Sequence, residues 1–156
     1  MLEIIKARTP EIAAAGAIGE SVGGSEIRCL PRAKSILHIE DNELVAGVAR
    51  EMLEAQGLQV ETCADGNVAL EKISGEADYD LLLVDYDLPG VNGLEIVRHA
   101  RKLAHRSQTP IVVLSGTAIE TEAREAGADV FLRKPQDVGS LVETITRLLS
   151  ECGPDG

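Results

Sequence analysis

Six side chains in this sequence have the types and spacing to do chemistry together. Glu40 and Asp41 form one acid pair, Asp85 and Asp87 form a second around Tyr86, Ser115 offers a hydroxyl and Lys134 an ammonium. Carboxylates packed together raise each other's pKa unless a cation neutralises them. A ligand set of hard oxygens, with no His or Cys in it, selects magnesium or manganese over zinc. Magnesium keeps several waters and takes one or two carboxylates plus phosphate oxygen. Lys134 and Ser115 then read as phosphoryl-oxygen partners, one a point charge and one a donor. Asp85 reads as a nucleophile able to form an aspartyl phosphate. Phosphoryl transfer needs mainly positioning and charge neutralisation, and this set supplies both. Taken singly, each residue has a plainer reading, because acids often cap apolar runs, a serine often sits in a turn and a lysine is usually solvated.

The elements that precede these residues must carry them to one place. Ser35–Glu40 is a short apolar run ending in acids and reads as a strand. Residues 43–56 set Leu44, Val48, Met52 and Ala55 at helical spacing, and Gly57 stops that helix. Leu58–Cys63 alternates as a strand, and residues 67–75 read as a helix through Val68, Leu70 and Ile73. Asp80–Asp85 is continuously apolar between its acids, as a sheet buried on both faces requires. A turn at Pro89-Gly90 leads to a helix over 92–104 through Leu94, Val97, Arg101 and Leu103. A strand over Pro110–Leu114, a helix near 118–127 and a strand over Val130–Leu132 follow. An amphipathic helix over Gln136–Glu151, through Val138, Leu141, Ile145 and Leu148, completes the series. Five strands alternating with five helices predict an α/β fold, a doubly wound five-stranded parallel sheet with helices on both faces. Such sheets bind ligands at the carboxyl ends of their strands, which is where all six residues fall.

Composition narrows the function classes. The chain has 156 residues, one domain's worth with a short appendage, and 44% of them are apolar, enough for a core. Fifteen Lys and Arg against 26 Asp and Glu give a net charge of -11, which disfavours nucleic acid and anionic membrane surfaces. Residues 1–33 hold as many bases as acids, so residues 34–156 carry the whole -11. Only Tyr79, Tyr86 and Phe131 are aromatic, too few for a base-stacking platform. Cys29, Cys63 and Cys152 are odd in number and far apart, which argues against a disulfide framework or a zinc site and suits a reducing cytoplasm. The apolar runs are too short to span a bilayer, and the N-terminus, with Glu3, Lys6 and Arg8, lacks the apolar core of a signal peptide.

From about Lys34 to Ser150 the sequence resembles the receiver domain of two-component response regulators, with its chemotaxis-regulator-like, flavodoxin-like (βα)5 fold. The motifs that carry the resemblance are Ile36-Leu-His-Ile-Glu-Asp-Asn42, Leu82-Leu-Val-Asp-Tyr-Asp-Leu-Pro-Gly90 with Gly93, Ile111-Val-Val-Leu-Ser-Gly116, and Ala126-Gly-Ala-Asp-Val-Phe-Leu-Arg-Lys-Pro135. The resemblance implies that Asp85 accepts a phosphoryl group from a sensor histidine kinase or phosphotransfer protein. It implies a magnesium held directly by Asp41, through water by Glu40 and by the backbone carbonyl of Asp87, with Asp85 also at the metal and manganese able to substitute. Ser115 and Lys134 would contact phosphoryl oxygens, the Lys134–Pro135 peptide would be cis, and Phe131 would be the switch aromatic that moves with Ser115. Output would be a population shift read by a downstream protein target. A cytoplasmic signalling domain that assists its own phosphorylation and dephosphorylation, not an enzyme on a separate substrate, is the implied role, with a homodimer as one compatible assembly.

Several features depart from that pattern. The acid pair is Glu-Asp where Asp-Asp is commoner, Asp87 adds a carboxylate two residues after the acceptor, and Phe131 lacks a tyrosine's hydroxyl. The interval from Ser115 to Lys134 is short for the family, which predicts a curtailed fourth helix or preceding loop. Asp85-Tyr-Asp87 also resembles the Asp-x-Asp signature of haloacid-dehalogenase-type phosphatases. That family places its second acid pair after the lysine, whereas here Glu40-Asp41 lies upstream.

The remaining residues take plain readings. His38 is expected to be packed within its strand, His99 and His105 to be solvated, Tyr79 and Tyr86 to serve packing, and Cys63 to be a small buried hydrophobe. The expected organisation is an extension or linker over residues 1–33, a receiver over 34–151 and a tail over 152–156. Gly23–Pro31 faintly resembles the end of a histidine-kinase ATP-binding domain, which would suit descent from a hybrid kinase.

Overall fold

In a computed structural model of the chain, residues 31–152 are described. The expectations for residues 1–30, among them the extension or linker, Cys29 and the hybrid-kinase likeness, lie outside the described residues, as do those for 153–156.

Five parallel strands form one sheet in the order β2-β1-β3-β4-β5. They are β1 (Ser35–Ile39), β2 (Gln59–Cys63), β3 (Leu81–Asp85), β4 (Ile111–Ser115) and β5 (Val130–Arg133). The helices are α1 (Glu43–Glu54), α2 (Gly66–Ser74), α3 (Gly93–Lys102), α4 (Glu120–Ala126) and α5 (Leu141–Glu151). This is the expected doubly wound α/β fold. Strand order reverses between β1 and β3, and the crevice above that reversal is where such sheets bind ligands. The fourth helix is short, seven residues long, as the curtailed interval predicts.

The sequence explains each element locally. Asn42 caps α1 by accepting from the N–H groups of Leu44 and Val45, and Asp65 caps α2 through Asn67 and Val68. Asn92 caps α3 through Glu95. Such caps satisfy N–H groups that the first helical turn leaves without partners. Gly127 ends α4 in the left-handed region, at φ 114°, where a Cβ would also strike Arg101.

Every residue of β3 and β4 is buried, because helices cover both sheet faces. Leu37, Ile39, Leu82, Val84, Ile111 and Val113 pack one face against α2, α3 and α4. Ile36, Leu81, Leu83, Val112 and Leu114 pack the other against α1 and α5. Complete burial of one leucine or isoleucine stabilises the fold by about 1.5–3 kcal/mol.

The inward face of α1 differs from the expected one. Ala46, Ala49 and Leu53 are its buried residues, whereas Leu44 is 82% and Val48 58% exposed. Small alanines let the helix approach the sheet closely, and the larger apolar residues turn outward. In α2 the buried residues are Gly66, Ala69 and Ile73, with Val68 outward.

His38 is fully buried, as expected of a packed strand residue. His99 is partly exposed, with Nε2 2.7 Å from the Ser74 hydroxyl. His105 is exposed, with Nε2 3.2 Å from the Ile73 carbonyl oxygen. Tyr79 packs as expected and donates its hydroxyl to Glu61 at 2.9 Å. Cys63 is buried, and its thiol donates to the Asp65 carbonyl at 3.2 Å. Among the described residues no helix is long and apolar enough to cross a membrane.

Candidate functional site

Parallel pairing aligns the carboxyl ends of the strands. Glu40 directly follows β1, Asp85 ends β3, Ser115 ends β4 and Lys134 directly follows β5. The β3–β4 register pairs Asp85 with Leu114, and the β4–β5 register pairs Ser115 with Arg133. The Lys134 N–H donates to the Ser115 carbonyl at 2.9 Å, which carries the ladder one residue past β5. The Lys134–Pro135 peptide is cis. Beyond it, Asp137 closes the loop: its carboxylate accepts from the Arg133 N–H at 2.8 Å, and its own N–H donates to the Arg133 carbonyl at 2.8 Å.

The Lys134 ammonium reaches back across the sheet and donates to Asp85 Oδ1 and to Glu40 Oε2, each at 2.9 Å. Asp85 is 2% and Glu40 3% exposed. Glu40 also accepts from the Asn42 N–H at 3.1 Å, so the residue that caps α1 also steadies the acid pair. Burial pushes the Asp85 carboxyl above the usual carboxylate range; the Lys134 ammonium works against that shift, and the charges of Asp87 and Asp41 add to it. Burial likewise raises Glu40 more than its bonds to Lys134 and Asn42 lower it. For Lys134 burial opposes the charge, but two carboxylates on one ammonium outweigh it and hold its pKa above the ordinary value. The site therefore carries more buried negative charge than its lysine neutralises.

The donor set fits a hard divalent cation. Glu40, Asp41 and Asp85 each offer a carboxylate oxygen, and these oxygens lie within 4.8 Å of one another. All are oxygen donors, one exposed and two buried, and the raised carboxyls show that further positive charge would be welcome. Asp87 is exposed and its carboxylate lies outside that cluster, although its charge acts on Asp85. The Ser115 hydroxyl is fully buried and accepts from the Thr117 N–H at 3.0 Å. Phe131 is half-buried and packs on the α2–α4 face of the sheet.

Three features of the surroundings were not read from the sequence. Gly93 opens α3 against the acceptor's own backbone, where a Cβ would lie 2.5 Å from the Asp85 carbonyl oxygen. Arg106 is buried, with Nε donating to the Ile73 carbonyl at 3.1 Å, a second bond to the Ala77 carbonyl and its guanidinium over the Tyr79 ring. His38 is fully buried one strand position before Ile39, and neither ring nitrogen has a hydrogen-bond partner among the described residues. Burial, together with the nearby Lys134 charge, lowers its pKa to about 4, so the ring is neutral. The glycine was visible within its motif, but its close approach is a property of the packed fold alone.

Known proteins are similar to this chain in sequence and fold. The polar-differentiation response regulator DivK of Brucella ovis is 31% identical over 121 residues, which span 76% of this chain and 98% of DivK. A CheY-like response regulator receiver domain protein from Methanospirillum hungatei superposes with a TM-score of 0.73 at 30% identity, over 80% of this chain and 100% of that one. The receiver domain of sensor histidine kinase PA1611 from Pseudomonas aeruginosa, solved with magnesium coordinated in its active-site cleft, gives a TM-score of 0.68 at 28% identity, over 76% of this chain and 99% of that one. Residues 36–146 match the response regulator receiver domain family along nearly the whole sheet, the crevice included. With five parallel strands bringing an acid pair, a buried aspartate and a lysine to one crevice, the chain belongs to the family of response regulator receiver domains.

Proposed function

We propose that Asp85 is the phosphoacceptor of this receiver and that Glu40, Asp41, Ser115 and Lys134 serve its reaction. The observation that carries this reading is the Lys134 ammonium, 2.9 Å from Asp85 Oδ1 in a crevice that also holds the acid pair. Asp85 Oδ attacks the phosphorus of a phosphohistidine, the new O–P bond forms as the P–N bond breaks, and the imidazole leaves and takes up a proton. Asp41 and Asp85 would hold the magnesium, Glu40 would hold it through water, and the Asp87 carbonyl would complete the protein's share. Manganese, with the same preference for oxygen, substitutes. When bound, the cation neutralises charge on the phosphoryl oxygens. Lys134 then meets one phosphoryl oxygen. Ser115, whose oxygen already accepts from Thr117, turns its O–H to another. Phe131, on the sheet face that Ser115 adjoins, follows the serine and alters the surface.

The phosphodonor is a sensor histidine kinase or phosphotransfer protein. Its contact surface includes α1, where Leu44 and Val48 stand exposed just past the Asn42 cap. Outward apolar residues next to a reactive crevice suit a transient protein partner better than solvent. The domain acts in the cytoplasm, as a signalling module that turns over its own phosphoryl group and not as a phosphatase on separate esters. It passes its state to a downstream protein, with dimerisation as one route. Residues 34–151 form the receiver, 1–33 an extension and 152–156 a tail.

The test is phosphorylation by acetyl phosphate with magnesium. The wild type should gain one phosphoryl group and Asp85→Asn none. Label retained by the variant would move the acceptor elsewhere. Repeated hydrolysis of p-nitrophenyl phosphate would favour the phosphatase reading instead.

A further inference from the structure

Lys134 follows the sheet's outermost strand, yet its ammonium bonds two carboxylates that lie beyond β4. It donates to Asp85 Oδ1 at the end of β3 and to Glu40 Oε2 just past β1, each at 2.9 Å. A side chain that long magnifies any drift of the backbone that carries it, and a misplacement of about 1 Å weakens a reacting group severely. On its inner side that backbone is held by β4, since the Lys134 N–H donates to the Ser115 carbonyl at 2.9 Å. The preceding residue, Arg133, turns its N–H and C=O the other way, where the sheet has no further strand among the described residues. β5 is four residues long, so these last backbone groups need another partner to stay in place.

Asp137 is that partner. Its carboxylate accepts from the Arg133 N–H at 2.8 Å, and its own N–H donates to the Arg133 carbonyl at 2.8 Å. The Asp137 carbonyl in turn accepts from the Ser140 N–H at 3.0 Å and from the Ser140 hydroxyl at 2.8 Å, at the threshold of α5. One half-buried residue thus ties the end of β5 to the start of α5, with Lys134 and Pro135 inside the loop. An aspartate just before a helical turn usually caps it with its carboxylate. Asp137 precedes the 3-10 turn Val138–Ser140, but its side chain makes no cap bond there and faces back to the strand. The acid serves the residue next to Lys134, not the helix.

We infer that Asp137 is a positioning residue for the phosphoacceptor reaction: by latching the backbone of Arg133, its carboxylate aims the Lys134 ammonium at Asp85. It acts through Lys134 and touches no phosphoryl oxygen. The aiming of Lys134 stands on the hydrogen bonds alone, whereas its effect on the reaction rests on the reading of Asp85 as the acceptor.

The test reads Lys134 and the reaction separately, in the full chain. Lysines are labelled with carbon-13 at Cε, and the Lys134 NMR signal is assigned by its loss in Lys134→Arg. Asp137→Ala should move that signal towards that of the exposed Lys102. Labelling by acetyl phosphate at saturating magnesium should slow about fivefold, the scale of one lost hydrogen bond, while magnesium affinity changes by less than about twofold. Asp137→Asn keeps an oxygen that accepts from the Arg133 N–H, so it should restore the signal and most of the rate. Asp137→Glu, which keeps the charge but shifts the carboxylate by one methylene, should show the same changes as alanine and carries the test if the alanine variant does not fold. A Lys134 signal that stays in place, an asparagine variant as impaired as the alanine one, or a full labelling rate despite a displaced signal would each overturn the inference. So would a magnesium affinity that falls in step with the rate, because the disturbance would then not run through Lys134. Acetyl phosphate that leaves Asp85 unlabelled even in the wild type would count against the phosphoacceptor reading, and the Lys134 signal would still decide whether the latch aims the lysine.

Discussion

Gly93 closes on the carbonyl of Asp85 so tightly that a Cβ there would lie 2.5 Å from the oxygen and 2.8 Å from Tyr86 Cα. The first residue of α3 thus fixes the backbone of the acceptor, and the Gly93 N–H donates to the Tyr86 carbonyl at 3.1 Å. Gly93→Ala must push backbone from backbone, because no flexible side chain is there to yield. A loss of about 1–3 kcal/mol is expected, with slower phosphorylation of the fraction that folds. Denaturant unfolding and acetyl-phosphate labelling measure the two effects separately. Wild-type stability in the variant would show that the loop relaxes freely.

Lys134 holds two buried carboxylates that burial has already raised. Lys134→Ala removes the only ammonium bonded to them among the described residues. It is expected to destabilise the metal-free domain by about 1–3 kcal/mol, because uncompensated buried charge is costly. Magnesium should recover part of the loss, since the oxygen cluster of Glu40, Asp41 and Asp85 remains. The variant should still bind magnesium while losing most of its coupling to the switch. Thermal melts with and without magnesium, and partner binding after phosphorylation, check both halves. Normal partner binding by the phosphorylated variant would remove Lys134 from the switch.

His38 gives stability a specific acid dependence. Its pKa falls from 6.5 to about 4 on folding, first through burial and then through Lys134. A depressed folded value means that its contribution is complete above pH 6.5 and is lost as the pH falls towards 4. The loss over that window is on the order of 3 kcal/mol. His38→Leu should flatten the profile between pH 6.5 and 4 while leaving the contribution of the carboxylates. Glu40 and Asp85 act in the opposite sense, because their raised values favour the folded state when protonated. Urea unfolding at stepped pH separates the two, and a profile unchanged by His38→Leu would contradict this assignment.

What the sequence disclosed follows from which physical signals are local. The run Leu81–Val84 announces a strand covered on both faces, and the acids, serine and lysine stand at strand ends because polar residues end apolar runs. The crevice was legible for that reason. The inward face of α1 was not, because its larger apolar residues Leu44 and Val48 lie on the outer side while the sheet takes Ala46 and Ala49. Nothing local in the sequence marks Arg106 for burial, yet it is buried because the carbonyls of Ile73 and Ala77 receive it. His38 was legible as packed, but the lack of any partner for its ring depends on the walls that tertiary structure builds around it.

Arg101 ties three parts of the fold together and predicts a stability effect away from the crevice. Its Nε donates to the Gly127 carbonyl at 2.8 Å, and Nη1 donates to the Thr109 carbonyl at 2.7 Å. Nη2 pairs with Asp129 at 2.7 Å, and Asp129 in turn accepts from the Ile111 N–H at 2.8 Å, at the start of β4. Arg101→Lys keeps the charge but not the fork, so it should lose most of these bonds and about 1–3 kcal/mol. Phosphorylation of Asp85 should stay close to wild type while the domain is folded. A Lys variant as stable as the wild type would show that the clamp contributes nothing net.

Asp87 tests whether an exposed charge can set the pace of the acceptor. Its carboxylate raises Asp85 after the larger effects of burial and Lys134, and the side chain is exposed and outside the oxygen cluster. Like charge near the acceptor repels an incoming anionic phosphodonor as well as disfavouring ionised Asp85. Asp87→Asn should therefore speed phosphorylation by acetyl phosphate by about two- to fivefold, the scale expected for one screened surface charge. The effect should shrink as salt is added, because an exposed charge is screened within about 10 Å at 0.1 M ionic strength. Decay of the aspartyl phosphate after donor removal reports the second half of the cycle, where the same carboxylate repels no anionic donor but stands beside the attacking water. Formation and decay rates that match the wild type at low salt would deny Asp87 any kinetic role.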